Sequence, residues 1–556
     1  MCANWHWETV CSHNQVAPHS TVTTGILTRP FLPNMSGQAS YGQYINSLTP
    51  RYPSLTSLAR LLNAQHPSTP EFSTHAHCIE LPEKEPMSSG AVGTGDASMA
   101  LERIDSFLKL STQEEANKSR GLVVIVEDPG PHEMQALGAL LDIHPLFFGG
   151  HLASSFERLE KGTQNPFIAS CPSQLSTHEF INIHYKRVLD LGSEDAFRDL
   201  PPRLVMRGNV PRKARLTQAL SGRQMGILNA CVSVLRKKLD GGRWICLILL
   251  DSTTRNLTPE CEETVSCSGK IASLAIPQTP RRLGVEGFTD MPSYSATIPG
   301  QESSSTQTST IWQLTEAMRS SNVRRILTDH SIISLVYLPC RMAMAEWALY
   351  AILMQAYAKH YEYSFNSLPS LIENVKNRDF IELHRWRRRS RQSLYKLRLV
   401  EAFVVHWQTM ERVMGSSENP SDAQQADLLL LDIKHIANRI DEYMRSLELM
   451  APMATSLLQL MDSERSVSEA VNVRRLTYIA LVFVPLSFVA SIFSMGDDFA
   501  PGRPGFWVYF AVAIPMALVV LAFLKLDVLR LRLVFEFFRN CERLRQGRGG
   551  PEASLP

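Results

Sequence analysis

Ser487, Ser491 and Ser494 stand in a run of about twenty residues, Leu476 to Met495, that carries no charge. Their i, i+4, i+7 spacing puts three hydroxyls on one face of a helix. Such a face serves one of two ends. It lets helices approach closely at small residues, or it lines a polar, water-filled path. Asp497 and Asp498 follow, just ahead of Pro501 and Gly502. They form a solvated turn, or they concentrate cations at the end of that path.

A second uncharged run, Phe506 to Leu524, comes a few residues later. Each run is long enough to cross a bilayer core as a helix. Arg474 and Arg475 precede the first run. Lys525, Arg530, Arg532, Arg539, Arg543, Arg545 and Arg548 follow the second, whereas the connecting loop holds Asp497, Asp498 and Arg503. The excess of basic residues on one side predicts a multi-pass hairpin with both termini in the cytosol, the plasma membrane being the expected site. Pro485 and Pro515 lie inside the runs, where membrane helices tolerate proline.

The elements that must present this hairpin lie upstream. The chain has 556 residues, a net charge of +2 and ten cysteines in no even framework, which fits reduced thiols in the cytosol. The N-terminal MCANWHWETVCSHN lacks the apolar core of a secretory signal. Residues 1–118 are rich in Ser, Thr, Pro, His and Asn and read as disordered, apart from the short TSLARLLNAQ. Residues 119–251 read as an α/β domain. LVVIVED, FINIHYKRVLDL and RWICLILLD are its strands, and HEMQALGALLDI is a helix. A Ser/Thr/Pro-rich insert, 252–310, reads as a flexible linker. Residues 311–475 read as a helical stalk. In it Ile433, Ile436, Ile440, Met444 and Leu447 form a stripe at three and four spacing, and Pro452 predicts a kink or break. The two spans occupy 476–524, and a basic cytosolic tail runs over 525–556. The fold class is thus an α+β/α membrane protein: a cytosolic α/β domain, a long helical stalk and two C-terminal transmembrane helices.

Other clusters are weaker. HAHC, with His75, His77 and Cys78, lacks matched partners for a zinc site. HRWRRRSRQ, His384 to Gln392, could meet nucleic acid or anionic lipid, but its amphipathic setting favours a solvated or acid-paired stalk face. No Gly-rich phosphate loop, GxSxG elbow or HExxH motif occurs, so neither an enzyme nor a nucleic-acid partner is expected.

The segment RRLTYIALVFVPLSFVASIFSM resembles the first membrane helix of the CorA family of magnesium channels. The shared features are the basic residue before Leu476-Thr477, then Pro485-Leu486-Ser487-Phe488, then a small-residue turn ending in an aromatic and a methionine. LLDIHPLFFGGHL, Leu140 to Leu152, resembles the cytosolic domain of divergent fungal members. The family's outer signature is Gly-Met-Asn; here the positions read Ser494, Met495, Gly496. The resemblance implies a homopentamer in the bilayer. Leu476, Ala480, Val484, Ser487 and Ser494 would line the pore. Met495, Gly496, Asp497 and Asp498 would rim its mouth, and a divalent cation, Mg2+, would pass as cargo with no resident cofactor. Two rival readings follow from the altered signature: a non-conducting membrane-anchored scaffold or sensor, and a zinc transporter on the same fold.

Overall fold

The computed structural model describes residues 40–63, 72–81, 94–109, 121–153, 178–198, 200–252, 257–259, 281–282, 309–319, 331–366, 377–413, 420–495, 505–520 and 522. The first 39 residues, most of 252–310, Gly496, Asp497, Asp498 and the tail 525–556 lie outside these.

The strands are β1 (His75–Leu81), β2 (Thr94–Asp96), β3 (Gly121–Glu127), β4 (Phe180–Ser193), β5 (Arg203–Met206), β6 (Arg212–Leu216), β7 (Arg223–Lys238), β8 (Trp244–Leu250), β9 (Leu257–Pro259) and β10 (Arg281–Arg282). They form one sheet ordered β2-β1-β3-β8-β7-β6-β5-β9, with β4 lying along β7 and β10 pairing β4. β3 and β8 run parallel; the other pairs described are antiparallel. Every residue of β3 and of β8 is buried. Their unbroken apolar sequences are what a strand covered on both faces requires.

The two covers are helical. On one face lie α1 (Tyr41–Leu48), α2 (Thr56–Asn63), α3 (Ala97–Lys109), α4 (Pro131–Leu141) and α5 (Pro145–Leu152), which share a core with Leu122, Val124, Ile245 and Leu247. On the other lie α6 (Thr310–Arg319), α7 (Ile332–Asn366), α8 (Asn377–Val413) and α9 (Pro420–Phe493), sharing a core with Val123, Ile125, Cys246 and Ile248. Alternate residues of one strand therefore serve opposite layers, as the two-residue period demands. A last helix, α10 (Phe506–Val520), follows α9.

Three expectations need correction. Residues 40–109 are not devoid of structure: α1 to α3, β1 and β2 pack there. Ser40 and Gln43 close a capping box on α1, and Ile45, Leu58, Ile104 and Phe107 are buried. Burial against the sheet supplies what these short, polar-flanked segments lack in isolation. The insert 252–310 is not wholly a linker, because β9 pairs β5 and β10 pairs β4. Pro452 does not break the stalk, since α9 is continuous over 74 residues through Pro452 and Pro485. Ala451 and Ala454 are buried on either side of Pro452, so packing holds the helix across the missing N–H. Thr455 and Ser456 donate hydroxyl hydrogen bonds to the Pro452 carbonyl at 2.7 and 3.0 Å.

Candidate functional site

The start of α9 is stalk. Ile433, Ile436, Ile440 and Leu447 are buried against α7 and α8, and Met444 packs beside them. From 462 to 477 every side chain is exposed, so α9 leaves the domain alone. Arg474 stacks on Tyr478, its guanidinium 5.3 Å from the ring centre, and hydrogen-bonds the phenol.

Beyond that point the helix shows two faces. At 100° per residue, Leu476, Ala480, Val484, Ser487, Ser491 and Ser494 fall within about 80° of arc. All six are exposed; Leu476 is 68 % and Val484 66 % exposed. Val489 and Phe493 lie roughly 200° round from the middle of that stripe. Here α10 meets α9: Phe493 and Tyr509 pack edge to face with centroids 6.2 Å apart. One turn away on each helix, Val489 and Ala513 are the buried side chains among the described residues of 476–495 and 506–520. The second helix thus covers the side opposite the stripe. Arg474 and Arg475 also fall on the half of the helix away from it.

This geometry bears on the serines. Within one chain they are not the packing seam between α9 and α10. Ser487 turns its hydroxyl back to the Phe483 carbonyl at 2.7 Å, leaving oxygen lone pairs on the open face. The stripe therefore offers apolar side chains at Leu476 and Val484 and hydroxyl oxygens at Ser487 and Ser494. Met495, 88 % exposed, ends the described segment.

The clusters upstream of the hairpin resolve differently. His75 and His77 share one face of β1 and Cys78 takes the other. His77 bonds the Thr315 hydroxyl through Nδ1 at 3.0 Å. No group of three metal-ligating side chains occurs among the described residues. In the basic stretch, Arg385 and Arg389 pair with Glu382, Arg389 stacks over Trp386 at 5.2 Å, and Arg391 meets Glu448 of α9 at 2.6 Å. That is an acid-paired stalk face.

Sequence reading missed the buried charges that join the layers. Arg187 of β4 meets Glu346 of α7 at 3.3 Å, and Arg212 of β6 meets Asp251 at 2.6 Å, all four about 1 % exposed. Opposing carboxylates and the Tyr185 phenol raise the pKa of Arg187 despite its burial. A charged residue inside an apolar run, such as Glu346 within MAEWALY, was the available signal. Val489, Phe493, Tyr509 and Ala513 were also missed, though their offset from the serine stripe was readable.

Residues 373–530 match the family described as CorA-like Mg2+ transporter protein. Among solved structures, the complete structure of the CorA magnesium transporter from Methanocaldococcus jannaschii is similar at 11 % identity. That likeness covers 82 % of this chain and 98 % of that one, with a TM-score of 0.31. Comparison with curated proteins gives no match. The family match spans α8, α9, α10 and the exposed stripe on α9. What the comparisons show is thus a likeness to the CorA-like family confined to residues 373–530 of this chain.

Proposed function

We propose that the protein is a membrane channel for divalent cations, Mg2+ foremost, in which copies of α9 surround a pore. The single observation behind this reading is the exposed stripe Leu476, Ala480, Val484, Ser487 and Ser494 on the side of α9 that α10 leaves open. A helix whose partner covers one face can turn the other to an axis. Leu476 and Val484 then act as apolar constrictions that gate by dewetting, and Ser487 and Ser494 offer oxygens to a hydrated ion. The assembly is a homopentamer with both termini in the cytosol, and entry is driven by the membrane potential, about 2.3 kcal/mol per charge per 100 mV.

At the outer mouth Gly496 stands where the resemblance has asparagine. Asp497 and Asp498 supply carboxylate oxygens there. Carboxylates attract divalent ions without discriminating finely among them, because selectivity rests on cavity size and rigidity. The channel is therefore less selective for Mg2+ and also carries Co2+, Ni2+ or Zn2+. The test is flux of these four ions into liposomes holding the purified protein, with and without an imposed potential. Potential-driven flux that falls in Asp497→Asn/Asp498→Asn supports the reading. The missing asparagine favours one other function, a non-conducting membrane-anchored scaffold. Absence of flux for all four ions establishes that alternative and removes the channel.

A further inference from the structure

Helix α5, PLFFGGHL, is fastened by a histidine at each end. At its start, His144 is the N-cap, and its Nδ1 accepts the Leu146 N–H at 3.3 Å. An imidazole can do this only while that nitrogen is unprotonated. The His144 ring also lies against His178, centroids 4.1 Å apart, with Phe180 beyond. In its last turn His151 is fully buried. Its Nδ1 meets the Ser233 hydroxyl of β7 at 2.9 Å, and its Nε2 lies 3.5 Å from Asp251. Its carbonyl accepts from Arg212 at 2.7 Å. Between the two, a Cβ at Gly150 would stand 2.0 Å from Asn182 of β4, so the helix backbone sits directly on the sheet. Phe147 and Phe148 are wholly buried beneath it.

We propose that α5 is an acid-released latch, held on the sheet by two neutral histidines and freed when they take up protons. A proton at His144 removes the cap acceptor and places a cation at the positive end of the helix and against His178. A proton at His151 brings a charge into a site where Asp251 is already met by Arg212 and by the Cys231 N–H at 2.7 Å.

The charged groups around both rings point the same way. Near His144, Glu179 is engaged by Arg236 and Lys238, and Asp142 by Lys237. Around His151 stand Arg212 and Asp251, with His184 and Lys186 on β4, Cys231 on β7, and Lys396 of α8 within electrostatic reach of that group; Arg187 acts on Asp251. No uncommitted carboxylate among these compensates a new proton. Burial, with His178 adding repulsion, pushes His144 down to about 4. Burial pushes His151 down to about 3, the attraction of Asp251 being opposed by Arg212. A base held below its free value of about 6.5 contributes stability that is intact above that pH and is lost as pH falls through and below it. At pH 5.0 the loss depends mainly on the gap to the free value, giving about a 30-fold rise in opening per histidine.

Hydrogen exchange of the full chain in lipid discs at pH 7.5 and 5.0, corrected for intrinsic rates, tests this. The amides of Leu146 and residues 149–153 should open on the order of a thousandfold more at pH 5.0, and at that pH should still exchange much faster than those of β8, which open only with the whole fold. His144→Asn keeps a capping acceptor that cannot titrate, and should reduce the response of α5 to about 30-fold. An unchanged response in that variant, no response in the wild type, or protection of α5 equal to that of β8 at pH 5.0 overturns the latch.

Discussion

Two helices of this chain are long and apolar enough to cross a bilayer, and they have opposite surroundings. The most apolar stretch of α7, within Ile332–Ser364, is 83 % buried inside the protein, whereas the most apolar stretch of α9 is 6 % buried. The difference lies in their polar residues. α7 carries Glu346, whose partner Arg187 waits on the sheet, and Tyr357, whose phenol donates to Thr217 of the β6–β7 turn at 2.7 Å. The apolar part of α9 carries hydroxyls that fold back on their own backbone, as Ser487 and Thr477 do. A helix with fixed polar partners belongs in a protein core, and one with self-satisfied polar groups suits a medium that offers none. Length and apolarity do not separate the two.

The sharpest way to break this contrast is to remove a partner in α7. Glu346→Ala should leave the buried Arg187 charge without its ion-pair partner and destabilise the fold by about 3–5 kcal/mol, read as a lowered Tm of the purified chain. Arg187→Met with Glu346→Leu should recover most of that loss, because an apolar pair of similar volume replaces both charges. Trp347→Ala, emptying a fully buried site in the same helix, should cost about 3–5 kcal/mol by the same measurement. At the α9–α10 seam the effect should be smaller. Ala513→Trp overfills a 2 %-exposed position and should cost about 1–3 kcal/mol, seen as an earlier loss of the helical circular dichroism signal on heating. Val484→Asn, on the open stripe, should leave the stability within about 0.5 kcal/mol of wild type, with Tm barely moved, and yet raise ion flux by wetting the constriction. A drop in Tm comparable to that of Trp347→Ala would place Val484 in a packed core and sink the pore assignment.

The same contrast explains what was legible in the sequence. β3, β8 and the α9 stripe Ile433, Ile436, Ile440 and Leu447 announce themselves because each is apolar at the period of its own element. The 16-residue β7 does not. Its Arg, Gln, Asn and Lys residues blur the alternation, and β4, β6 and β8 share its length as neighbours, so its identity as a strand is tertiary. β1 reads as a histidine cluster until the register with β3 is known. Short α1 and α2 depend on a sheet that lies far ahead in the sequence. For the candidate site, spacing alone groups Leu476, Ala480, Val484 and Ser487. Deciding between packing and an open face needed the position of α10, which no period encodes. The acidic turn Asp497-Asp498 lies outside the described residues and stays a sequence-level proposal.

The continuity of α9 has a mechanical consequence. Among the described side chains, Ala454 is the last of the stalk to be buried, and the helix then runs on to Phe493, with Val489 the next one buried, beside α10. That free length is about 58 Å at 1.5 Å per residue. It is a cantilever clamped against α7 and α8, so one degree of play at the clamp displaces its far tip by about 1 Å. Compliance concentrates at Pro452, inside the clamp, and at Pro485, level with the stripe, where a backbone hydrogen bond is missing. A small tilt between sheet and stalk is thereby amplified before it reaches Val484, with one soft joint on each side of the lever arm.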